Sequence, residues 1–149
     1  MKRCTRTERV LSKRLVGAAF HACAETLPRE PGAYALLIEL TAPLEVNLRG
    51  RPATMLASGT YVYCGSAYGP GGLRARVGRH MRRDKARRWH VDQITGAGEV
   101  TGAFVFPDGN ECALVAALAE FPSPVPGFGS SDCRTCASHL LAVTVRQPP

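Results

Sequence analysis

Apolar and polar positions follow two different periods along this chain, and the places where the period changes mark its elements. Residues 34–40, YALLIEL, are apolar except for Glu39, the pattern of a strand buried over most of its length. Residues 60–66, TYVYCGS, alternate instead, with Tyr61 and Tyr63 on one face and Val62 and Cys64 on the other. Between the two, Pro43 and residues 47–50 mark a turn, with a short strand expected in part of 44–48. The Gly69-Pro70-Gly71-Gly72 cluster forces another turn, after which Leu73, Val77 and Met81 recur at helical spacing. Arg76 and His80 fall on the flank of that apolar stripe, while Arg74, Arg79 and Arg82 point further out.

Residues 89–94 suit a short helix, and residues 100–106 a strand ended by Pro107-Asp108-Gly109. In the following segment, NECALVAALAEF, Glu111, Leu114, Val115 and Leu118 fit one helical face, which places a carboxylate on the apolar stripe. Residues 121–129, rich in Pro and Gly, read as loop, and residues 140–145 as a last edge strand.

At 149 residues the chain suits one α/β domain (α+β), here residues 31–146, preceded by a basic lead at residues 1–30 that is helical or flexible. Lys2, Arg3 and Arg14 followed by a modest apolar stretch mimic a secretory signal, but His21 interrupts it and export is not expected. No apolar run approaches the roughly 20 residues that span a bilayer, so no membrane partner is expected. Six cysteines are scattered through a chain with apolar residues enough for a core, which favours a reducing cytoplasm over a disulfide framework.

The formal charge of +7 favours a polyanionic partner. It is concentrated in Arg74, Arg76, Arg79, Arg82, Arg83, Lys85, Arg87 and Arg88, opposed only by Asp84 and interleaved with His80, Trp89 and His90. Such a mixture suits a nucleic-acid backbone with stacking groups nearby; a solvated helix face is the plainer alternative.

Glu111 carries the sharpest chemical signal. A carboxylate on a buried stripe must be paired, protonated or metal-bound, and Mg²⁺ or Mn²⁺ would satisfy it. Alternatively it completes a helix cap with Asp108, or Asn110 is the cap. Arg76 can clamp a phosphate through two parallel hydrogen bonds, or make a surface ion pair. Tyr34 and Tyr63 pack well on a sheet, and a phenol with an ordinary pKa near 10 is a poor base unless a cation assists it. Cys133-Arg-Thr-Cys136 with His139 has half of a zinc-ligand spacing, which Cys112 would extend; a small zinc-containing structural or partner-binding protein is therefore one alternative. The Gly-rich turn lacks the Lys-Ser/Thr ending of a P-loop, although its helix N-terminus could receive a backbone phosphate.

Taken in order, Gly32-Ala33-Tyr34, Tyr63-Cys64-Gly65, Leu73 with Arg76 and His80 as LxxRxxxH, and Glu111 resemble the GIY-YIG nuclease superfamily. The run from Gly59 to Ala67, Gly69-Pro-Gly-Gly-Leu73, Trp89-His90, Asn110-Glu111-Cys112, and the tail from Gly127 through Cys133 to Leu140 look more closely like its DUF123 branch, in some proteins attached to endonuclease III. The resemblance spans residues 32–142. It implies a small mixed or antiparallel sheet flanked by helices and a metal-dependent endonuclease, with DNA the expected substrate in repair or processing and a repair enzyme as a possible associate. In that scheme Glu111 holds Mg²⁺ or Mn²⁺, Arg76 stabilises the scissile phosphate, Tyr34 acts as or helps the general base toward the attacking water, Tyr63 lines the site and hydrogen-bonds it, and His80 supports it or touches phosphate. Arg74, Arg79, Arg82, Arg83, Lys85, Arg87, Arg88 and His90 are the expected nucleic-acid contacts. A nucleic-acid-binding module of the same fold without useful cleavage is the other alternative. Ala33 and Cys64 replace the isoleucines of the two tripeptides, both at expected core positions. The tyrosines lie further apart in sequence than is typical, and a hairpin inserted between residues 41 and 58 would account for the excess.

Overall fold

The computed structural model of the protein describes residues 4–129 and 135–143. A five-stranded antiparallel sheet runs in the order β1 (Ala19–His21), β6 (Glu99–Pro107), β2 (Gly32–Leu40), β5 (Gly59–Ala67), β7 (Leu140–Val143). Its central position explains why β2 is nearly all apolar: the strand has neighbours on both edges and cover on both faces. Against one face, Leu36, Ile38 and Tyr61 pack with Leu73 and Val77 of α2 (Gly72–Met81) and Ile94 of α3 (Asp92–Ala97). Against the other, Ala35, Leu37 and Val62 pack with Leu11 of α1 (Arg6–Arg14) and with Leu114 and Leu118, the first in α4 (Glu111–Ala117) and the second just beyond it. Ala33 and Cys64 are buried on this second face, as core residues.

The excess between the tyrosine strands is taken up by a two-stranded hairpin, β3 (Leu44–Val46) and β4 (Thr54–Leu56). Val46 and Leu56 join the core on the α2 face, and the Asn47 backbone exchanges two hydrogen bonds with the Gln93 side chain of α3. β2 and β5 therefore pair without interruption, with Tyr34 opposite Gly65 and Leu36 opposite Tyr63.

Several elements depart from expectation. The N-terminal lead holds both a helix and a strand: Thr5 and Glu8 close a reciprocal capping box on α1, and β1 extends the sheet beside β6. The short helix begins at Asp92 rather than residue 89, because the Asp92 carboxylate accepts the backbone N–H groups of Arg88 and Trp89 and holds them in the turn before it. The N-terminus of α2 is not open to a phosphate: the N–H groups of Leu73 and Arg74 donate to the backbone carbonyls of Glu30 and Pro28. The last strand is described to Val143, and residues 144 and 145 lie outside the described set. Among the described residues no helix is long and apolar enough to cross a membrane.

Candidate active site

At one end of the sheet, β2, β5, α2 and α4 contribute Tyr34, Tyr63, Arg76, His80 and Glu111 to a single polar pocket of about 160 Å³. The β2–β5 register brings the two tyrosines together. Tyr34 lies opposite Gly65, two residues from Tyr63, so both phenols emerge on the face covered by α2. Gly65 is needed for this: a Cβ there would fall 2.5 Å from Tyr34 Oη and 2.6 Å from its Cζ. Gly32 serves a similar end, since a Cβ would lie 2.2 Å from the Phe106 carbonyl where β2 and β6 close together. The glycines of both tripeptides are thus explained by close approach.

His80 is buried behind the tyrosines, and its Nε2 lies 2.8 Å from Tyr34 Oη. Burial holds its imidazole neutral, with a pKa lowered to about 3; the Asp92 carboxylate opposes the shift, and Lys85, Arg79 and Arg76 reinforce it. Nδ1 of the same ring is buried without a hydrogen-bond partner. An orphaned N–H is rarer than an orphaned acceptor, so the favoured tautomer carries its proton on Nε2 and donates it to the phenol oxygen. Tyr34 then has its own hydroxyl proton free to turn toward the pocket. Burial, with the neighbouring Tyr63, pushes the Tyr34 hydroxyl well above its ordinary value, and the Arg76 charge works against that rise. Tyr63 is likewise raised, by burial first and by the Glu111 charge. Neither is a standing phenolate.

Arg76 is half-buried, with its guanidinium 4.4 Å from the centre of the Trp89 ring. Arg79, one helical turn on, lies at the same 4.4 Å from that ring and is clamped by both Asp92 oxygens, at 2.9 and 3.0 Å. Cation–π contact and a two-toothed ion pair together hold the indole, and the indole backs Arg76. Glu111 is the first residue of α4. Asn110 is the cap, accepting from Cys112 and Ala113 N–H, while Asp108 lies in the turn at φ 61°. The Tyr68 hydroxyl donates to the Gly109 carbonyl at 2.6 Å and fixes that turn. The Glu111 side chain is 31% exposed, and one oxygen lies 3.7 Å from His139 Nδ1, too long for a hydrogen bond.

The basic stretch divides in two. Arg74 donates to the Leu27 and Glu25 carbonyls, Arg83 to the Gly98 carbonyl, Arg79 to Asp92, and Lys85 to the His80 and Arg82 carbonyls. Arg79 was expected to point outward; instead it is a mostly buried brace. Arg82, Arg87 and Arg88 are exposed, and Arg87, Arg88, Trp89 and His90 line an open recess beside the pocket. His90 Nδ1 also accepts the Gly129 N–H at 3.1 Å.

Of the zinc-type residues, Cys133 lies outside the described set, whereas Cys112, Cys136 and His139 come together with their ligand atoms within 4.8 Å of one another. Trp89, Asp92 and His139 were not anticipated as parts of this pocket or its support. Asp92 had a signal available, as an acid following a long basic run. His139 was signalled only as a zinc-type ligand after Cys136; its place beside Glu111 depends on tertiary pairing.

No curated protein and no solved structure matches the chain. Residues 33–149 match the family described as domain of unknown function DUF123, a span that includes all five pocket residues named above. The chain therefore belongs to the DUF123 family.

Proposed function

We propose that this protein is a metal-dependent endonuclease of GIY-YIG type that hydrolyses phosphodiester bonds, with DNA the expected substrate. What supports it is the meeting in one polar pocket of Tyr34, Tyr63, Arg76, His80 and Glu111. A pocket built only for packing has no use for an arginine, a carboxylate and two phenols.

A hard divalent ion fits the donors present. Glu111 offers carboxylate oxygen at the pocket wall, and Mg²⁺ or Mn²⁺ needs only one or two carboxylates when substrate phosphate and water complete its shell. When bound, the ion supplies Lewis-acid polarisation of the phosphoryl group and neutralises growing charge. Arg76, backed by Trp89, clamps the phosphate and stabilises the charge that builds on its oxygens as the bond breaks. Tyr34 orients the attacking water through its hydroxyl while His80 Nε2 holds the phenol oxygen. Proton acceptance by Tyr34 requires loss of its own proton, which burial opposes and which the Arg76 charge and the His80 N–H favour. Tyr63 closes the pocket wall. Arg82, Arg87 and Arg88 offer backbone contacts along the adjoining recess and surface.

The test is cleavage of supercoiled plasmid and branched DNA with Mg²⁺ or Mn²⁺, beside Arg76→Ala and Glu111→Gln. Metal-dependent cutting lost in both variants is expected. Salt-dependent binding without cutting under any divalent ion would leave a binding module of the same fold, and cutting that survives both substitutions would place the chemistry elsewhere.

A further inference from the structure

We propose that Cys112, Cys136 and His139 bind a zinc ion that ties the first turn of α4 to the lead into β7. This goes beyond the nuclease proposal and does not depend on it. The three ligand atoms lie within 4.8 Å of one another. Tetrahedral bonds of about 2.3 Å to sulfur and about 2.0 Å to nitrogen put ligand atoms roughly 3.5–3.8 Å apart, so a small inward turn of the side chains supplies three corners of the tetrahedron and leaves the fourth for water. Two thiolates and an imidazole are a soft set that selects zinc over Mg²⁺, whereas the Glu111 carboxylate beside them is hard. The two ions sort themselves by donor chemistry.

A second observation is independent of the clustering. His139 is 1% exposed, and neither of its ring nitrogens has a hydrogen-bond partner. A buried imidazole left in this state is unfavourable, and metal coordination at one nitrogen removes much of the penalty. The backbone that carries the ring is held on both sides: His139 N–H donates to the Phe128 carbonyl at 2.8 Å, and Cys64 N–H donates to the His139 carbonyl at 2.9 Å. From that fixed backbone the imidazole comes within reach of the two sulfurs.

The consequence reaches the pocket through adjacency. Cys112 follows Glu111 in the first turn of α4, and His139 lines the pocket with Nδ1 3.7 Å from the Glu111 carboxylate. Zinc would hold the wall on which that carboxylate is mounted, a positioning role.

Metal analysis of the purified full chain tests this without nucleic acid, so the outcome is separate from that of any cleavage assay. Stoichiometric zinc is expected, about one per chain, falling below ~0.1 in Cys112→Ser, Cys136→Ser and His139→Ala. It should be unchanged in Cys23→Ser and Arg76→Ala. Because the ligand variants can lose their fold with the metal, a second measurement uses the wild-type chain alone. Co²⁺ added to metal-stripped protein should give the intense visible bands of a tetrahedral thiolate site, and Zn²⁺ should abolish them. Zinc retained in both cysteine variants, a folded, reduced metal-free chain that yields no such cobalt spectrum, or a Cys112–Cys136 disulfide in the protein as purified would overturn the proposal.

Discussion

Asp92→Asn removes one charge from the buried pair that braces Trp89 and, through it, Arg76. The Asp92 side chain is fully buried and that of Arg79 is 15% exposed, so the substitution leaves a guanidinium mostly out of water without its counter-ion. Breaking a buried pair from one side costs about 3–5 kcal/mol; the slight exposure of Arg79 argues for the lower end, ~3 kcal/mol. For a chain of this size that is a fall in Tm of about 6–12 °C. The pH dependence is more specific. Burial pushes the Asp92 carboxyl up, but hydrogen bonds from Arg79 and from the Arg88 and Trp89 N–H groups outweigh it and hold the group at about 2, below its ordinary 3.8. As pH falls, the unfolded chain takes up this proton first. The stabilisation is therefore complete above the unfolded value and is lost as pH drops through the folded one. The stability gap between wild type and variant should be ~1 kcal/mol smaller at pH 3 than at pH 7. Urea unfolding at a series of pH values would measure it, with the single tryptophan, Trp89, as a local fluorescent reporter. An equal gap at both pH values, or a Tm within about 1 °C of wild type, would refute the assignment of Asp92 as the charged brace.

Gly65→Ala should displace the Tyr34 phenol, destabilise the fold by about 1–3 kcal/mol and lower cleavage at least ~10-fold, checked by thermal melting and single-turnover kinetics. Replacing Arg82, Arg87 and Arg88 with alanine should weaken DNA binding and reduce its salt slope by about one per residue while stability stays within ~0.5 kcal/mol. Arg74→Ala and Arg83→Ala should instead lower Tm with little change in that slope, because these side chains hold backbone carbonyls. His80 is held neutral to about pH 3, against an ordinary value of 6.5, so the unfolded chain protonates there first. Wild-type stability contributed by this group should be intact above pH 6.5 and decline as pH falls toward 3, and His80→Gln should lose that dependence in denaturant titrations.

Where one local physical rule dominates, the elements could be read from residues alone. The apolar run of β2, broken only by Glu39, identified a strand buried over most of its length, and the Gly-Pro-Gly-Gly turn set the start of α2; that the two tyrosine strands are neighbours despite the inserted hairpin was implied by the family resemblance alone. Strand β1 escaped because three residues, Ala19–His21, carry too little pattern to register. Helix α1 did carry a signal, the Thr5-x-x-Glu8 capping box, but its single buried position, Leu11, makes a weak stripe. In the basic stretch, composition could not separate Arg79, clamped against Asp92, from Arg82, one turn further and exposed. That distinction depends on which carbonyls and carboxylates the fold brings within reach. Glu111 on an apolar stripe was visible from spacing; its nearness to His139 depends on the β5–β7 pairing.

The most direct measurement separates binding from cutting in one variant. Glu111→Gln keeps the shape of the side chain and removes its charge, so DNA affinity at fixed salt and divalent ion should stay within ~3-fold of wild type while the single-turnover cleavage rate falls at least ~10³-fold. Cleavage within ~3-fold of wild type at unchanged affinity would contradict the claim that Glu111 belongs to a metal-dependent phosphodiesterase site.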